Sequence, residues 1–206
     1  MIDRQSLSGL ILAGGRASRM QLADQAAVDK GLLELRGEPL VAHVRRYLEP
    51  RVAQVWVNAN RHLDIYARYG TTISDDPALG AGLGPLAGVA SALARVETPW
   101  RMVVPVDVPL LPADLVDRLA QVLAGTKKNM AYASAGGPHP LCMLLHRSAN
   151  RSLLEFLREG GRKVQQWQQL NQAVEVAFTG DSNAFFNINT REDLCLAEQI
   201  APAGPI

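Results

Sequence analysis

Two glycines near the N-terminus, Gly14 and Gly15, end a continuous apolar run and precede three cationic side chains. A turn without Cβ atoms can present backbone N–H groups to phosphate oxygens, and Arg16, Arg19 and Lys30 would supply positive charge. The spacing matches neither Gly-x-Gly-x-x-Gly nor the Walker pattern that ends in Gly-Lys-Ser/Thr. We therefore predict a phosphate-binding loop of a different type. A plain strand-to-helix turn with scattered surface charges is the alternative.

Asp107 stands at the end of a second apolar run, residues 102–106. A carboxylate in such a place is costly to bury unless a cation or hydrogen-bond donors compensate its charge. Its position predicts a hard oxygen ligand for Mg²⁺. A helix-capping or loop-bracing role is the alternative.

Small residues and amides form two further candidate ligand contacts. The glycine-rich stretch 82–88 precedes a helical pattern and would let a flat ligand such as a nucleobase approach the backbone. Asn58 and Asn60 follow a predicted strand, and Asn187 and Asn189 lie close together near the C-terminus. Their amide groups can recognise the polar edges of a ligand. Tight helix packing is the alternative for the glycines, and turns or helix caps are the alternative for the asparagines.

Three strands are required to position these groups. Residues 7–13, 52–58 and 102–106 are apolar or β-branched runs that predict buried strands, and each ends beside one of the candidate polar groups. In α/β proteins the ligands gather at the carboxyl ends of parallel strands. The loops after these strands are therefore expected to converge on one site.

The rest of the chain continues the alternation of strands and helices. Further strands are predicted at residues 131–134, 141–146 and 174–178, and helices at residues 39–48, 84–95, from about 112, 148–159, 163–171 and 190–200. This order predicts an α/β protein with a mostly parallel twisted sheet and helices on both faces. With 48% of its 206 residues apolar, the chain can bury one substantial core. We predict one domain over residues 1–200 and a disordered tail over residues 201–206.

The composition limits the classes of partner. The formal net charge is only +1, and Lys and Arg form no run longer than a pair, so a nucleic acid is not expected. No apolar run approaches the roughly 20 residues that span a bilayer, and the N-terminus lacks a signal-peptide pattern. These features predict a cytoplasmic protein without a membrane segment. Cys142 and Cys195 lie far apart in the sequence and are expected to be buried thiols.

Several stretches taken together resemble the molybdenum cofactor guanylyltransferases. The motifs that carry the resemblance are residues 12–20, 28–31, 84–88 and 107–109, with further similar stretches at 57–62, 139–140, 161–164 and 187–194. The similarity extends from about Ser8 to Gln199. It implies a Rossmann-like nucleotidyltransferase fold and the transfer of GMP from GTP to the terminal phosphate of molybdopterin, with release of pyrophosphate. GTP and molybdopterin are then the expected substrates, and Mg²⁺ is the expected cofactor.

The resemblance and the motifs also predict the functional residues. The predicted nucleotide contacts are Leu12, Ala13, Gly14, Gly15, Lys30, Asn58, Asp76, Gly84, Pro85, Leu86 and Asp107. Asp76 is aligned by its spacing from Asn58, and Asp75 is its close alternative. Catalysis is assigned to Lys30, Asp107 and Arg19, with Asp107 also binding the metal. Asn187 and Asn189 are assigned to the pterin side, with Arg162 and Lys163 as further candidates there.

Other functions stay open at this point. The Gly14-Gly15 pair favours guanine, because the related cytidylyltransferases usually carry Ala-Gly at this place. Molybdopterin cytidylyltransferase and sugar-1-phosphate nucleotidyltransferase are the enzymatic alternatives, and a nucleotide-binding regulator or cofactor carrier is the alternative from another class. Transient contacts with cofactor-delivery proteins and acceptor apo-enzymes are also expected.

The chain departs from the family over residues 21–27. This segment is longer than usual and lacks glycine, and we predict that it closes over bound phosphates.

Overall fold

The computed structural model describes residues 2–14 and 29–201. The predictions that concern Gly15, Arg16, Arg19, residues 21–27 and residues 202–206 lie outside the described residues. The strands are β1 (Leu7–Leu12), β2 (Glu34–Leu35), β3 (Glu38–Pro39), β4 (Gln54–Asn58), β5 (Thr71–Ile73), β6 (Trp100–Pro105), β7 (Met130–Ser134), β8 (Pro138–His146) and β9 (Val174–Ala177). The α-helices are α1 (Leu40–Leu48), α2 (Leu63–Tyr66), α3 (Pro85–Arg95), α4 (Leu115–Ala124), α5 (Asn150–Arg158), α6 (Val164–Leu170) and α7 (Arg191–Ile200).

The main sheet of the described part has seven strands in the order β5-β4-β1-β6-β8-β7-β9. The first four are parallel to one another, β8 is antiparallel to both of its neighbours, and β9 is parallel to β7. The predicted α/β class with a mostly parallel sheet is therefore confirmed. Because β8 is reversed, its beginning lies at the same edge of the sheet as the carboxyl ends of β1, β4 and β6.

The sheet is buried on both faces. Helices α1, α4 and α7 cover one face, and α3, α5 and α6 cover the other. Along β1, Leu7 and Ile11 face the first layer, whereas Leu10 and Leu12 face the second. A central strand buried on both sides needs an apolar side chain at nearly every position, which explains why β1 is, apart from Ser8, an apolar run rather than an alternating one.

Helix α7 has caps at both ends. At its beginning, the Thr190 side chain accepts the backbone N–H of Asp193, and the Asp193 carboxylate accepts the N–H of Thr190. This reciprocal capping box satisfies donors that have no partner within the helix. At its end, the Arg36 guanidinium donates to the carbonyls of Glu198 and Ala201. The Asp193 carboxylate also accepts the backbone N–H of Asn189, which fixes the chain where it enters the helix.

Some local features differ from the sequence predictions. The strand predicted over residues 52–58 begins only at Gln54. The short elements β2, β3, β5 and α2 were not predicted, because two to four residues carry too little periodicity to be recognised. Cys142 is buried as expected, but Cys195 is exposed on α7, so that part of the prediction was wrong. In the part of the chain that the structure describes, no helix has the length and apolarity to cross a bilayer.

Candidate active site

A cavity of about 760 Å³ opens at the edge of the sheet where β1, β4 and β6 end and β8 begins. The residues that line it are Leu12, Gly14, Lys30, Asn58, Asn60, Asp75, Gly80, Ala81, Gly82, Leu83, Gly84, Pro85, Ala87, Pro105, Val106, Asp107, Val108, Pro138, His139, Pro140, Leu141, Cys142 and Asn187. The loops after the three predicted strands thus converge on one site, as expected from the sequence.

Lys30 and Asp107 form the charged centre of this cavity. The Lys30 ammonium lies 2.5 Å from the Asp107 carboxylate and donates a second hydrogen bond of 2.6 Å to Oδ1 of Asn189. Lys30 is only 8% exposed, and the backbone N–H of Ile188 donates to the Asp107 carbonyl. Three segments distant in sequence therefore meet at one ion pair.

Lys30 is positioned by a buried network that the sequence analysis did not identify. The Asp29 carboxylate, 3% exposed as a residue, accepts the Tyr66 hydroxyl at 2.6 Å and the Arg61 guanidinium at 3.1 Å. Burial, and secondly the hydrogen bond to Asp29, raise the pKa of Tyr66 well above its usual range, so Tyr66 remains a donor. Only a glycine fits at position 31, because a Cβ on Gly31 would lie 2.6 Å from the Tyr66 hydroxyl. The adjacent Asp29-Lys30 pair was the available signal in the sequence.

Asn189 is positioned by helix α7. The Asp193 carboxylate accepts the backbone N–H groups of both Asn189 and Thr190 at 2.8 Å. The first of these bonds is the largest cause of the lowered pKa of Asp193, which keeps that carboxylate ionised. Asn189 was assigned to the pterin side, but the structure places its side chain on Lys30, and of the two asparagines it is Asn187 that lines the cavity.

Asn58, Asn60 and Asp75 form the second polar cluster of the cavity, which we call the amide cluster. Asn58 donates to Oδ1 of Asp75 at 3.0 Å, and Asn60 donates to Oδ2 at 2.8 Å. Oδ1 of the Asn60 side chain in turn accepts the backbone N–H of Asp75 at 3.0 Å. Gly88 of α3 packs directly on Asn58, since a Cβ there would lie 2.2 Å from Oδ1 of Asn58. Asn60 was considered in the sequence only as an amide able to read a ligand, not as a partner of Asp75.

Asp75 and Asp76 point in different directions. Asp75 lines the cavity, whereas the Asp76 carboxylate caps a 3₁₀ helix, Pro77–Leu79, by accepting the N–H of Ala78. The backbone N–H of Asp76 donates to Ser91. Neighbouring residues of an extended chain face opposite sides, so a one-residue difference in alignment decides which carboxylate faces the cavity.

The remaining predicted nucleotide contacts divide into two groups. Leu12, Gly14, Gly84 and Pro85 line the cavity. Gly84 precedes α3 with a φ of 61°, a conformation that favours glycine. The side chains of Ala13 and Leu86 are fully buried in the two core layers and do not appear among the lining residues of the described part, so contact to a ligand would involve their backbone.

The beginning of β8 forms the far wall. The His139 ring lines the cavity and stacks on Phe185 with 4.5 Å between ring centroids. Burial raises the pKa of the Cys142 thiol well above its usual range, so this cavity-lining thiol stays protonated. Arg162 donates to the carbonyls of Leu157 and Gly161, and neither Arg162 nor Lys163 is among the described residues that line the cavity.

The described residues contain no group of three or more His, Cys, Asp or Glu side chains that could hold a metal ion. Asp107, whose side chain is 18% exposed, offers oxygen donors to the cavity. Mg²⁺ is commonly held by one or two carboxylates together with substrate phosphates and water. The residues present therefore fit a metal that is completed by a phosphorylated ligand rather than by a protein cage.

A mostly parallel α/β sheet with a cavity at its carboxyl edge, charged at the centre and amide-rich at one end, is suited to a nucleotide, and the family model places the chain in the nucleotidyltransferase class. The family model for the MobA-like NTP transferase domain matches residues 9–174. A molybdenum cofactor guanylyltransferase from Acidovorax ebreus (strain TPSY) is 41% identical over an alignment 210 residues long, in which 94% of this chain and 96% of that protein are covered. The chain belongs to the molybdenum cofactor guanylyltransferase family, and the family and enzyme class predicted from the sequence are confirmed.

Solved structures agree on the fold. The molybdopterin-guanine dinucleotide biosynthesis protein A of Archaeoglobus fulgidus has a TM-score of 0.76 at 24% identity, with 94% of this chain and 97% of that chain covered. The protein Rv0371C of Mycobacterium tuberculosis, in complex with manganese, has a TM-score of 0.66 at 17% identity, with 95% of this chain and 99% of that chain covered. The fold of the chain is therefore shared with these structures.

Proposed function

We propose that this chain transfers GMP from GTP to the terminal phosphate of molybdopterin and releases pyrophosphate. The observation that carries the proposal is that one cavity contains the amide cluster, Lys30 and Asp107, and the beginning of β8. Two substrates can lie end to end in such a cavity, with the charged centre between them. The names of the relatives at about 40% identity agree with this reaction. Residues 1–200 are proposed to act as one nucleotidyltransferase domain.

The amide cluster is proposed to bind guanine. A carboxylate can accept the two adjacent N–H groups on the N1 and N2 edge of guanine, and the cytosine edge offers no such pair of donors. We assign this contact to Asp75 rather than to Asp76, because Asp75 lines the cavity. Asn58 would hold the Asp75 carboxylate through its hydrogen bond to Oδ1. The glycine-rich entry to α3, with Gly84 and Pro85, would allow close approach of the base.

Lys30 and Asp107 are proposed to act on the phosphates. The acceptor is a phosphate monoester that is already anionic near neutral pH, so attack on the α-phosphorus of GTP needs no protein nucleophile. The Lys30 ammonium would stabilise the charge that develops on the departing pyrophosphate. Leu12 and Gly14 would offer backbone contacts beside it, and Arg19 remains a further candidate from the sequence.

Asp107 is proposed to hold Mg²⁺. When bound, the metal would supply charge neutralisation for the reacting phosphates. We therefore expect chelation to abolish turnover and added Mg²⁺ to restore it. A comparison of Mg²⁺ with Mn²⁺ at equal concentration would establish the preferred ion.

The wall formed by Pro138, His139, Pro140 and Leu141 is proposed to face the pterin, together with Asn187. Asn189 would act indirectly, through its hydrogen bond to Lys30. Transient contacts with cofactor-delivery proteins and acceptor apo-enzymes, and a cytoplasmic location, are proposed on the sequence alone.

The test is mass spectrometry of the product formed from GTP, Mg²⁺ and molybdenum-loaded molybdopterin. We expect the guanine dinucleotide form of the cofactor and one pyrophosphate per transfer. Reactions with CTP, or with a sugar 1-phosphate as acceptor, serve as controls and should give little product. Product from those controls at a higher rate would replace the proposal with one of the enzymatic alternatives. Tight GTP binding without pyrophosphate release would favour a regulator or carrier.

A further inference from the structure

Asp75 is held by two amides that are anchored differently. Asn58 is 4% exposed, and it is fixed from behind by Gly88 and by a long hydrogen bond of 3.4 Å to the Ile73 carbonyl. Asn60 is exposed at the rim of the cavity. The only side-chain hydrogen bonds described for Asn60 are its two contacts with Asp75, one to the carboxylate and one from the backbone N–H.

These two contacts form a closed ring between Asn60 and Asp75. An isolated half-buried carboxylate can rotate about its terminal bond, because the orientation of that group is only broadly restricted. Donation to Oδ2 combined with acceptance from the backbone N–H ties that rotation to the main chain. Asn60 therefore fixes the plane in which the Asp75 carboxylate presents its oxygens.

The acceptor positions that remain free on the Asp75 carboxylate also match the N–H donors of guanine. An ionised carboxylate has about four acceptor positions on its two oxygens. Asn58 occupies one position on Oδ1 and Asn60 one on Oδ2, so each oxygen keeps a position for a ligand. Guanine supplies two adjacent donors, from N1 and N2, whereas hypoxanthine lacks the 2-amino group and supplies only N1–H.

We propose that Asn60 is a positioning residue that sets the preference for guanine by holding the Asp75 carboxylate in the plane of the base. The inference rests on the proposed function of Asp75 as the guanine contact. Asn60 itself need not touch the nucleotide for this effect. Its removal should therefore affect selectivity more than overall affinity, which is a result that a merely structural asparagine would not give.

The test compares the binding of GTP and ITP by calorimetry, in the presence of Mg²⁺, for the full chain and its variants. We expect the unaltered protein to prefer GTP over ITP by roughly tenfold or more, because a hydrogen bond to a charged group is lost with ITP. In Asn60→Ala the ratio should fall to about twofold, while ITP affinity changes by no more than about threefold, because only the alignment of the second bond is lost. Asn60→Ser, which keeps a small polar side chain, provides a second variant with the same expected direction.

Two control variants distinguish a failure of the role inferred for Asn60 from a failure of the proposed contact between Asp75 and guanine. Asn129→Ala removes a half-buried asparagine whose side chain bonds Ser148 beside the beginning of β7, outside the cavity lining, and should leave the ratio unchanged. Asp75→Asn should abolish the preference, since it removes the carboxylate.

Loss of preference in both the Asp75 and the Asn60 variants supports the inference. If Asp75→Asn loses the preference and both Asn60 variants keep it, the positioning role of Asn60 is refuted alone. If Asp75→Asn keeps the preference, Asp75 does not read guanine, and the proposed contact and this inference both fail.

Discussion

Asp107 and Asp75 lie in the same cavity, each just beyond the end of a parallel strand, yet their surroundings differ. Asp107 is paired with the ammonium of Lys30 at 2.5 Å, whereas Asp75 is held by the neutral amides of Asn58 and Asn60. A carboxylate beside a fixed cation is suited to phosphates and metal, where charges must balance. A carboxylate held by neutral amides keeps an acceptor position on each oxygen for the N–H groups of a base. We therefore propose a role in the reaction for Asp107 and a role in base recognition for Asp75.

The largest expected difference between the two aspartates is in turnover. Asp107→Ala should lower turnover by on the order of a hundredfold or more, by analogy with the loss of one electrostatic stabiliser. Pyrophosphate release under saturating GTP measures it. Asp117→Ala, at an exposed site on α4, is the matched control and should be near normal. Near-normal turnover in a folded Asp107→Ala protein would remove Asp107 from the metal role.

A second variant acts on the amide cluster without changing any polar residue. Gly88→Ala would place a Cβ 2.2 Å from Oδ1 of Asn58, and such overpacking typically costs about 1–3 kcal/mol. Because Asn58 must shift, we expect GTP affinity to fall by roughly tenfold. At saturating GTP, turnover should stay within a few-fold of the original, since Lys30 and Asp107 are unaffected. Gly125→Ala is the control, because a Cβ there meets only atoms at 3.7 Å. Unchanged GTP affinity in Gly88→Ala would contradict the link between α3 and the amide cluster.

The third variant tests the support of the charged centre. Tyr66→Phe leaves the buried Asp29 carboxylate with one donor fewer, which should lower the free energy of unfolding by about 1–3 kcal/mol. Turnover should fall only a few-fold, because Lys30 itself remains. Urea unfolding measures the first effect and a pyrophosphate assay the second. Tyr47→Phe is the control, since its hydroxyl bonds the carbonyl of Pro112 rather than a charged group. Equal losses of stability in both variants would show that the charge on Asp29 has no special importance.

The sequence predicted the arrangement of strands well because burial on both faces leaves a continuous apolar run, as in β1. It also singled out Lys30 and Asp107, which the structure pairs in the cavity and whose charges are conspicuous beside glycines and valines. It did not reveal that β8 is reversed, since its apolar pattern is the same in either direction. Nor could it choose between Asp75 and Asp76, because that choice depends on which way one extended residue faces. The partners of Asp29 and Asp75 come from residues 15 to 37 positions away, and no local pattern encodes such pairs.

The reversal of β8 divides the cavity between two stretches of the chain. The lining residues from Leu12 to Val108 build the proposed nucleotide half and the charged centre, and those from Pro138 to Asn187 build the opposite wall. The two walls of the cavity therefore come from different stretches of the chain. An enzyme of this architecture could acquire a new acceptor through changes confined to residues 138–142 and 187 while it retained its nucleotide, and exchange of that later segment between relatives should transfer acceptor preference without transferring base preference.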